Sequence, residues 1–262
     1  MKILIQKLLK QKLNEAYSAV DEITELTTDV ISHFAVRNFQ IFNKCIKAGS
    51  IDENTIAFNY NSLDLSSNII DISKYQILQN FINNGSIRFF FGRIKTNGIY
   101  DNGIISINTY TNKFVDALDY QLQHLKRSST GKVSRKDAIL ALTIALDTCF
   151  RVSISHEIRH AYDDFISAGK YDTDKKSLAF YNTADVDPSK DNYKLKEKQY
   201  QVYLTLPHEY WARFTATAST LNKEQPFKSY FNEFKSKIGG WDLLNQNHKQ
   251  RLSKAVYSYW NI

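Results

Sequence analysis

A chain of 262 residues, of which 43% are hydrophobic, can bury a substantial core as one large domain or two small ones. Nine glycines and three prolines are too few for a disordered or linker-rich protein. The two cysteines, Cys45 and Cys149, exclude a disulfide framework and are expected to be reduced thiols. The net charge of +7 is compatible with binding to nucleic acid or to another anionic polymer but does not by itself indicate either.

The N-terminus carries lysines every few residues, and it lacks the apolar core and cleavage site of a signal peptide. By inspection, no stretch approaches the 18 or so apolar residues of a membrane span, so we expect no transmembrane segment. Richness in Lys, Asn and Ile is typical of an AT-rich genome, such as that of a bacteriophage. These features predict a cytoplasmic protein, or a virion-associated one if a phage encodes it.

The first half of the chain reads as helix followed by a small sheet. Apolar residues at helical spacing predict one helix over residues 2–20 and a second over residues 21–47. We therefore expect an N-terminal helical segment, 1–50, followed by the main domain, 51–262. Three strands and a short helix are predicted next, at 55–60, 86–94 and 103–109 and around 73–83. The turn signals Asn97-Gly98 and Asn102-Gly103 favour a mainly antiparallel sheet.

From residue 111 onward the chain reads as helices separated by one long polar segment. The predicted helices cover residues 111–126, 134–146, 149–167, 207–221, 226–238 and 241–259. Residues 138–146 are apolar almost all round, which is typical of a helix in the centre of a domain. Residues 170–206 are polar and rich in tyrosine, and we expect them to form a flap over a cleft. The predicted fold class is α+β and mostly helical.

The helix predicted at 149–167 contains the sequence His-Glu-x-x-His. His156 and His160 are four residues apart, so they lie on one helix face and their imidazoles can converge on one ion. Glu157 lies roughly 100° round the helix, where a carboxylate can accept a proton from a metal-activated water without binding the metal. Random order of the 6 His and 9 Glu residues gives only about 0.005 such matches.

The remaining residues of this helix fit two interpretations. Ile154, Ile158, Ala161 and Phe165 form an apolar stripe opposite the histidines, which lets the other face line a cleft. The alternative is an amphipathic core helix whose histidines are merely hydrogen-bonded.

A catalytic zinc site typically has three protein ligands, so the sequence must supply one more. The metzincin arrangement needs Gly and His at positions occupied by Asp163 and Ile166, which excludes it. The favoured third ligand is Glu209, which lies 49 residues after His160 in the first turn of a predicted helix. His208 is the alternative ligand; neighbouring helical residues point about 100° apart, so we expect only one of the two to reach the ion.

With Glu209 included, His156-Glu157-x-x-His160 resembles the motif of gluzincin metallopeptidases. The continuation His-Ala-Tyr-Asp and the later Glu-x-x-Ala-Arg are similar to small zinc-peptidase-like domains of phages and mobile elements. The resemblance covers roughly residues 86–220. It implies a zincin-like helical core with a small sheet packed on the motif helix, a bound Zn²⁺, and hydrolysis of a peptide or protein substrate. The spacing to Glu209 is longer than in thermolysin-like enzymes, and Arg213 stands where those enzymes have Asp.

Five further residues are candidates for supporting roles. Asp163 and Asp164 project near the ligand face and are candidates to hold the second ring nitrogens of the histidines. Tyr162, Tyr210 and Arg213 are candidates to stabilise a tetrahedral oxyanion.

Two other functions stay open. One is a non-catalytic structural or binding protein, such as a virion component, that retains a zincin fold. The other is hydrolysis of a cell-wall amide, which the positive charge allows. The presence of Glu157 favours an active enzyme over the first of these.

Overall fold

The computed structural model describes residues 2–51, 61–65, 70–91, 98–101, 103–109, 111–128, 133–167, 204 and 206–262. The described helices are α1 (Lys2–Ala48), α2 (Gln79–Asn84), α3 (Thr111–Ser128), α4 (Arg135–Ser167), α5 (Pro207–Ala218), α6 (Phe227–Lys237) and α7 (Gln246–Trp260). The described strands are β1 (Asn61–Asp64), β2 (Ser86–Phe91), β3 (Gly98–Asp101) and β4 (Ile104–Thr109). Single 3-10 turns occur at Ile72–Lys74 and Trp241–Leu243. A mostly helical α+β fold is thereby confirmed.

The chain forms two compact units, Met1–Ala161 and Tyr162–Ile262. This division differs from the predicted one at residue 50. The N-terminal helix belongs to the first unit because α1 and α4 contact each other through a buried hydrogen bond, 3.0 Å long, between the hydroxyls of Thr27 and Ser155. Arg151 of α4 also donates to Thr28 Oγ1 of α1.

Two predicted pairs of helices are single helices in the structure. Residues 2–20 and 21–47 belong to the 47-residue α1, and residues 134–146 and 149–167 belong to the 33-residue α4. Neither predicted junction contains glycine or proline, so no residue there interrupts the backbone hydrogen bonds. In α4 the junction is also bridged by Arg151, whose Nε donates to Asp147 one turn earlier at 2.7 Å.

The N-terminal end of α4 is capped by Ser134, three residues before Asp137. Ser134 Oγ accepts a hydrogen bond from the backbone N–H of Asp137 and donates to the Asp137 carboxylate. The serine hydroxyl thus satisfies one of the backbone donors that a helix leaves exposed at its start.

The sheet is mixed, so the mainly antiparallel prediction needs correction. Its strand order is β1-β2-β4-β3, and the central pair β2 and β4 is parallel over six residues, while the two outer pairs are antiparallel. The turn at Gly103, whose φ is +81°, joins β3 to β4 and places β3 on the outer side of β4. The other side of β4 is therefore open to β2, which pairs with β4 and not with β3, the strand that follows β2 in sequence.

The core of the first unit lies along α4 and the central strands. Its α4 residues recur every three or four positions, as the helical period requires. They are Leu142, Leu146, Phe150, Ile154, Ile158 and Ala161, all buried. The predicted stripe is thus confirmed at 154, 158 and 161; the side chain of Phe165 lies outside the described residues. The residues Phe114, Leu118, Leu122 and Leu125 of α3 are buried as well, at the same helical spacing.

The first half of α4 is less central than its composition predicted. Leu140 is 55% exposed and Ile144 is 41% exposed, so one side of this apolar stretch faces solvent. Judged by length and composition alone, the span Arg135–Asp164 of α4 could cross a membrane. Half of its apolar stretch is buried inside the structure. The core helix of a protein without a membrane span can meet the same criteria, so the expectation of no transmembrane segment stays a prediction.

A carboxylate of α1 holds the chain segment that leads into α2. The Glu22 side chain accepts hydrogen bonds from the backbone N–H groups of Gln76, Ile77 and Leu78, at 3.2, 2.9 and 3.3 Å. Leu78 precedes the first residue of α2 and makes no side-chain cap of its own. Glu22 therefore supplies from another helix the acceptors that the start of α2 lacks.

We expect Glu22→Ala to lower the free energy of unfolding by about 1–3 kcal/mol, because three backbone donors, two of them partly buried, lose a charged acceptor. Urea unfolding followed by circular dichroism measures this change. Glu25→Ala is the matched control, since Glu25 is an exposed carboxylate on the same helix. Equal losses in the two variants would contradict the capping role.

Phe214 of α5 lies in the core of the second unit. Its ring packs against Phe234 of α6 and Tyr259 of α7, with ring centroids 5.6 and 5.9 Å apart. Pro207 begins α5 as predicted, and Gly239 and Gly240, with φ values of +65° and +61°, follow the end of α6 as predicted. Helix α5 is thus held against both C-terminal helices.

Two predictions fall on parts of the chain that are not described. The predicted strand at 55–60 and the predicted flap at 170–206, apart from Leu204 and Leu206, lie outside the described residues. Leu204 and Leu206 are both buried.

Candidate metal centre

His156 and His160 lie on consecutive turns of α4, as the sequence predicted. Their Nε2 atoms are 3.0 Å apart, and their rings meet edge to face at an interplanar angle of 83°. Two nitrogens bound at 2.0–2.1 Å to one tetrahedral ion are about 3.3 Å apart. The pair is therefore within a few tenths of an ångström of the separation that such an ion requires.

Glu209 completes the set that the sequence predicted. One ligand atom from each of His156, His160 and Glu209 lies within 4.8 Å of the other two. Three points that close together fit in a circle of about 2.8 Å radius, compared with ligand distances of 2.0–2.2 Å in formed zinc sites. The three residues therefore form a group that could bind a metal.

The burial of Glu209 bears on the alternative that the histidines are merely hydrogen-bonded. The 3.0 Å Nε2–Nε2 distance also fits a hydrogen bond between neutral imidazoles, so that distance does not decide between the interpretations. Glu209, however, is only 7% exposed, and its Oε2 atom is shielded from solvent. A buried carboxylate requires compensation by a cation or by hydrogen bonds. A divalent cation shared with the two imidazoles would be one such compensation, and two His with one Glu are a known catalytic zinc set.

The motif helix is fixed directly beside the first histidine. Ser155 is fully buried and hydrogen-bonded to Thr27 of α1, so the backbone that carries His156 is tied to another helix. Arg159, between the two histidines, is also buried, at 3% exposure. Neither Ser155 nor Arg159 was singled out from the sequence, because a polar residue inside a helix gives no local indication of burial.

Glu157 is buried at 6% exposure and lies against the sheet. Its carboxylate is next to Gly98, the first residue of the edge strand β3. In the sequence Gly98 carried only a turn signal, so its proximity to the predicted general base was missed.

The structure describes four of the other predicted site residues as well. Tyr162 and Tyr210 are buried, and Asp163 and Asp164 are half-buried at the end of α4. The metal-ligand group found among the described residues contains neither aspartate. Their supporting roles therefore stay predictions.

Two further predicted residues have specific outcomes. The Arg213 guanidinium donates hydrogen bonds to the carbonyls of Ile238 and Gly239 at the end of α6, which is a structural contact within the second unit. Its oxyanion role stays a prediction. The side chain of His208, the alternative third ligand, lies outside the described residues.

The two cysteines are both free, as expected. Burial raises the pKa of the Cys149 thiol, an effect that the Lys113 ammonium only partly opposes. A thiol kept protonated in this way is a poor nucleophile and a poor metal ligand. Cys149 therefore does not compete with the histidine site as a reactive centre.

Comparison of the chain with protein-family models, with curated proteins and with solved structures gave no match. The assignment of this site consequently depends on the residues that form it: His156, His160 and Glu209 as a metal-binding group, with Glu157 beside it on α4.

Proposed function

We propose that the chain is a zinc-dependent metallopeptidase of gluzincin type, with a zincin-like core, that hydrolyses a peptide bond. The observation that carries this proposal is the approach of Glu209 to the His-Glu-x-x-His pair, with ligand atoms of all three residues within 4.8 Å. The sequence separation of 49 residues means that helix periodicity alone does not produce this approach.

In the proposed reaction His156, His160 and Glu209 hold the metal, and Glu157 acts as general base. A zinc ion held by these residues would lower the pKa of a water molecule and would polarise the substrate carbonyl. The Glu157 carboxylate accepts a proton from that water and then delivers it to the leaving amine nitrogen. The burial of Glu157 supports this role, because a carboxylate that is shielded from bulk water interacts more strongly with the reacting atoms.

The metal itself is the first test. Purified protein is expected to contain about one zinc ion per chain, because three converging ligands are the number that catalytic zinc sites use. Elemental analysis after dialysis measures the content, and a mixed peptide library read by mass spectrometry measures hydrolysis. Zinc-loaded protein that cleaves no peptide, while cleaving a cell-wall amide, would move the assignment to that substrate.

The third ligand has its own expected result. We expect Glu209→Ala to weaken zinc binding by more than about 100-fold, beyond the 10–100-fold effects typical of outer-shell residues. His208→Ala, its matched control on the same helix turn, is expected to change zinc affinity little. Competition with a chromogenic chelator measures both constants. Loss of zinc from His208→Ala but not from Glu209→Ala would show that the wrong neighbour was chosen.

A further inference from the structure

Gly98 leaves the space that the Glu157 carboxylate occupies. A methyl group placed on Cα of Gly98 would lie 2.6 Å from Glu157 Oε1, 2.8 Å from its Cγ and 3.0 Å from its Cδ. Nonbonded carbon contacts are most favourable at about 3.5–4.0 Å, so the two shorter distances are repulsive and the third is tight. The smallest possible side chain at position 98 therefore cannot coexist with Glu157 in its present position.

The backbone at position 98 does not itself require glycine. The described glycines with positive φ are Gly49, Gly103, Gly239 and Gly240, and Gly98 is not among them. Gly98 begins β3, and glycine weakens strands because it loses more conformational freedom on folding than other residues do. The structure thus explains glycine at this position by the space that the Glu157 carboxylate occupies, and not by the backbone conformation of residue 98.

The geometry around Gly98 shows which group would have to move. Gly98 pairs with Ile107 of β4, a fully buried residue, and β4 is held in turn by six pairings with β2. The backbone of Glu157 is fixed on the opposite side, within α4 between the two histidines. The carboxylate is the movable end of this contact, so a side chain at 98 would displace it.

We propose that Gly98 is a positioning residue. Because Gly98 lacks a side chain, the backbone at the start of β3 forms the surface against which the Glu157 carboxylate is held. Any larger residue at 98 turns that carboxylate away from its present place while leaving His156, His160 and Glu209 where they are. The functional consequence rests on the proposed role of Glu157 as general base. The steric relation itself is independent of that role.

The steric relation is tested by a stability cycle that needs no substrate. Gly98→Ala is expected to lower the melting temperature by at least about 2–4 °C in the native protein. In a Glu157→Ala background the same change is expected to be neutral or stabilising, because the clash is gone and alanine restricts the unfolded chain. Ser106→Ala, on the neighbouring strand β4, is the control and should behave alike in both backgrounds. An equal loss from Gly98→Ala in both backgrounds overturns the proposal.

The positioning role is tested by metal content and kinetics together, on the full chain with zinc bound. Gly98→Ala is expected to keep its zinc, to lose at least 10-fold in kcat on a cleaved peptide, and to change KM little. In a Glu157→Asp background, the loss of kcat caused by Gly98→Ala should be smaller, since the shorter side chain moves the carboxylate away from position 98. Loss of zinc from Gly98→Ala, or an unchanged kcat, overturns the role. If the stability cycle behaves as expected but native protein cleaves no peptide, the proposed function fails and the steric assignment stands.

Discussion

His156→Ala and His160→Ala are each expected to reduce the zinc content from about one ion per chain to background, because two remaining ligands hold zinc poorly. The Nε2 atoms of both residues face each other at 3.0 Å, so either substitution removes one side of the candidate site. Hydrolysis should be lost in parallel. Elemental analysis of dialysed protein measures the metal, and circular dichroism verifies that each variant is folded.

His124→Ala is the matched control for this experiment, since His124 is an exposed histidine on α3. It is expected to keep both zinc and activity. The result that counts against the site is full zinc occupancy in a protein that lacks both His156 and His160. Zinc would then be bound elsewhere, and the His-Glu-x-x-His sequence would belong to a core helix with hydrogen-bonded histidines.

Glu157→Gln should separate metal binding from chemistry. The amide keeps the shape of the side chain and fits beside Gly98, but it cannot accept the proton. We expect zinc to stay bound while hydrolysis falls by about 10²–10⁴-fold, the contribution typical of a positioned acid–base group. The measurement is kcat/KM on a peptide found with the native protein, together with zinc content.

An exposed glutamate, Glu224, provides the corresponding control for charge removal. Glu224→Gln should leave both quantities unchanged. If Glu157→Gln retained native activity, the observed hydrolysis would proceed by another mechanism. If instead it lost zinc, Glu157 would be supporting the metal ligands rather than acting as the base.

The sequence was sufficient wherever the information is local. His156 and His160 share a face because helix geometry fixes the direction of residues four apart, and the structure has them 3.0 Å apart at Nε2. The Ser134 cap and the start of α5 at Pro207 were also predictable, since each depends on contacts within a few residues.

Helix ends were predicted less well where the sequence contains no residue that ends a helix. The predicted breaks near residues 20 and 147 do not exist, because composition changes there but nothing interrupts the backbone hydrogen bonds. Solvent exposure of Leu140 and Ile144 was missed for a related reason. An apolar residue raises the expectation of burial, but only the neighbouring elements determine which side of a helix is covered.

Which strands lie next to each other in the sheet was decided by the tertiary structure alone. Turn signals at Asn97-Gly98 and Asn102-Gly103 indicate where the chain reverses, but not which strand lies beside which, so the parallel pairing of β2 with β4 could not be predicted. For the same reason, no contact between Gly98 and Glu157 could be predicted from the sequence. That contact joins residues 59 positions apart and exists because β3 is the edge of the sheet that lies against α4.

For the candidate site, the sequence by itself determined the two histidines and the position of Glu157, since all three depend only on the period of one helix. It could nominate Glu209 only from its chemistry, by the need for a third ligand. The placement of Glu209 with the two histidines was decided by tertiary structure, because a separation of 49 positions in sequence leaves its distance from the histidines open.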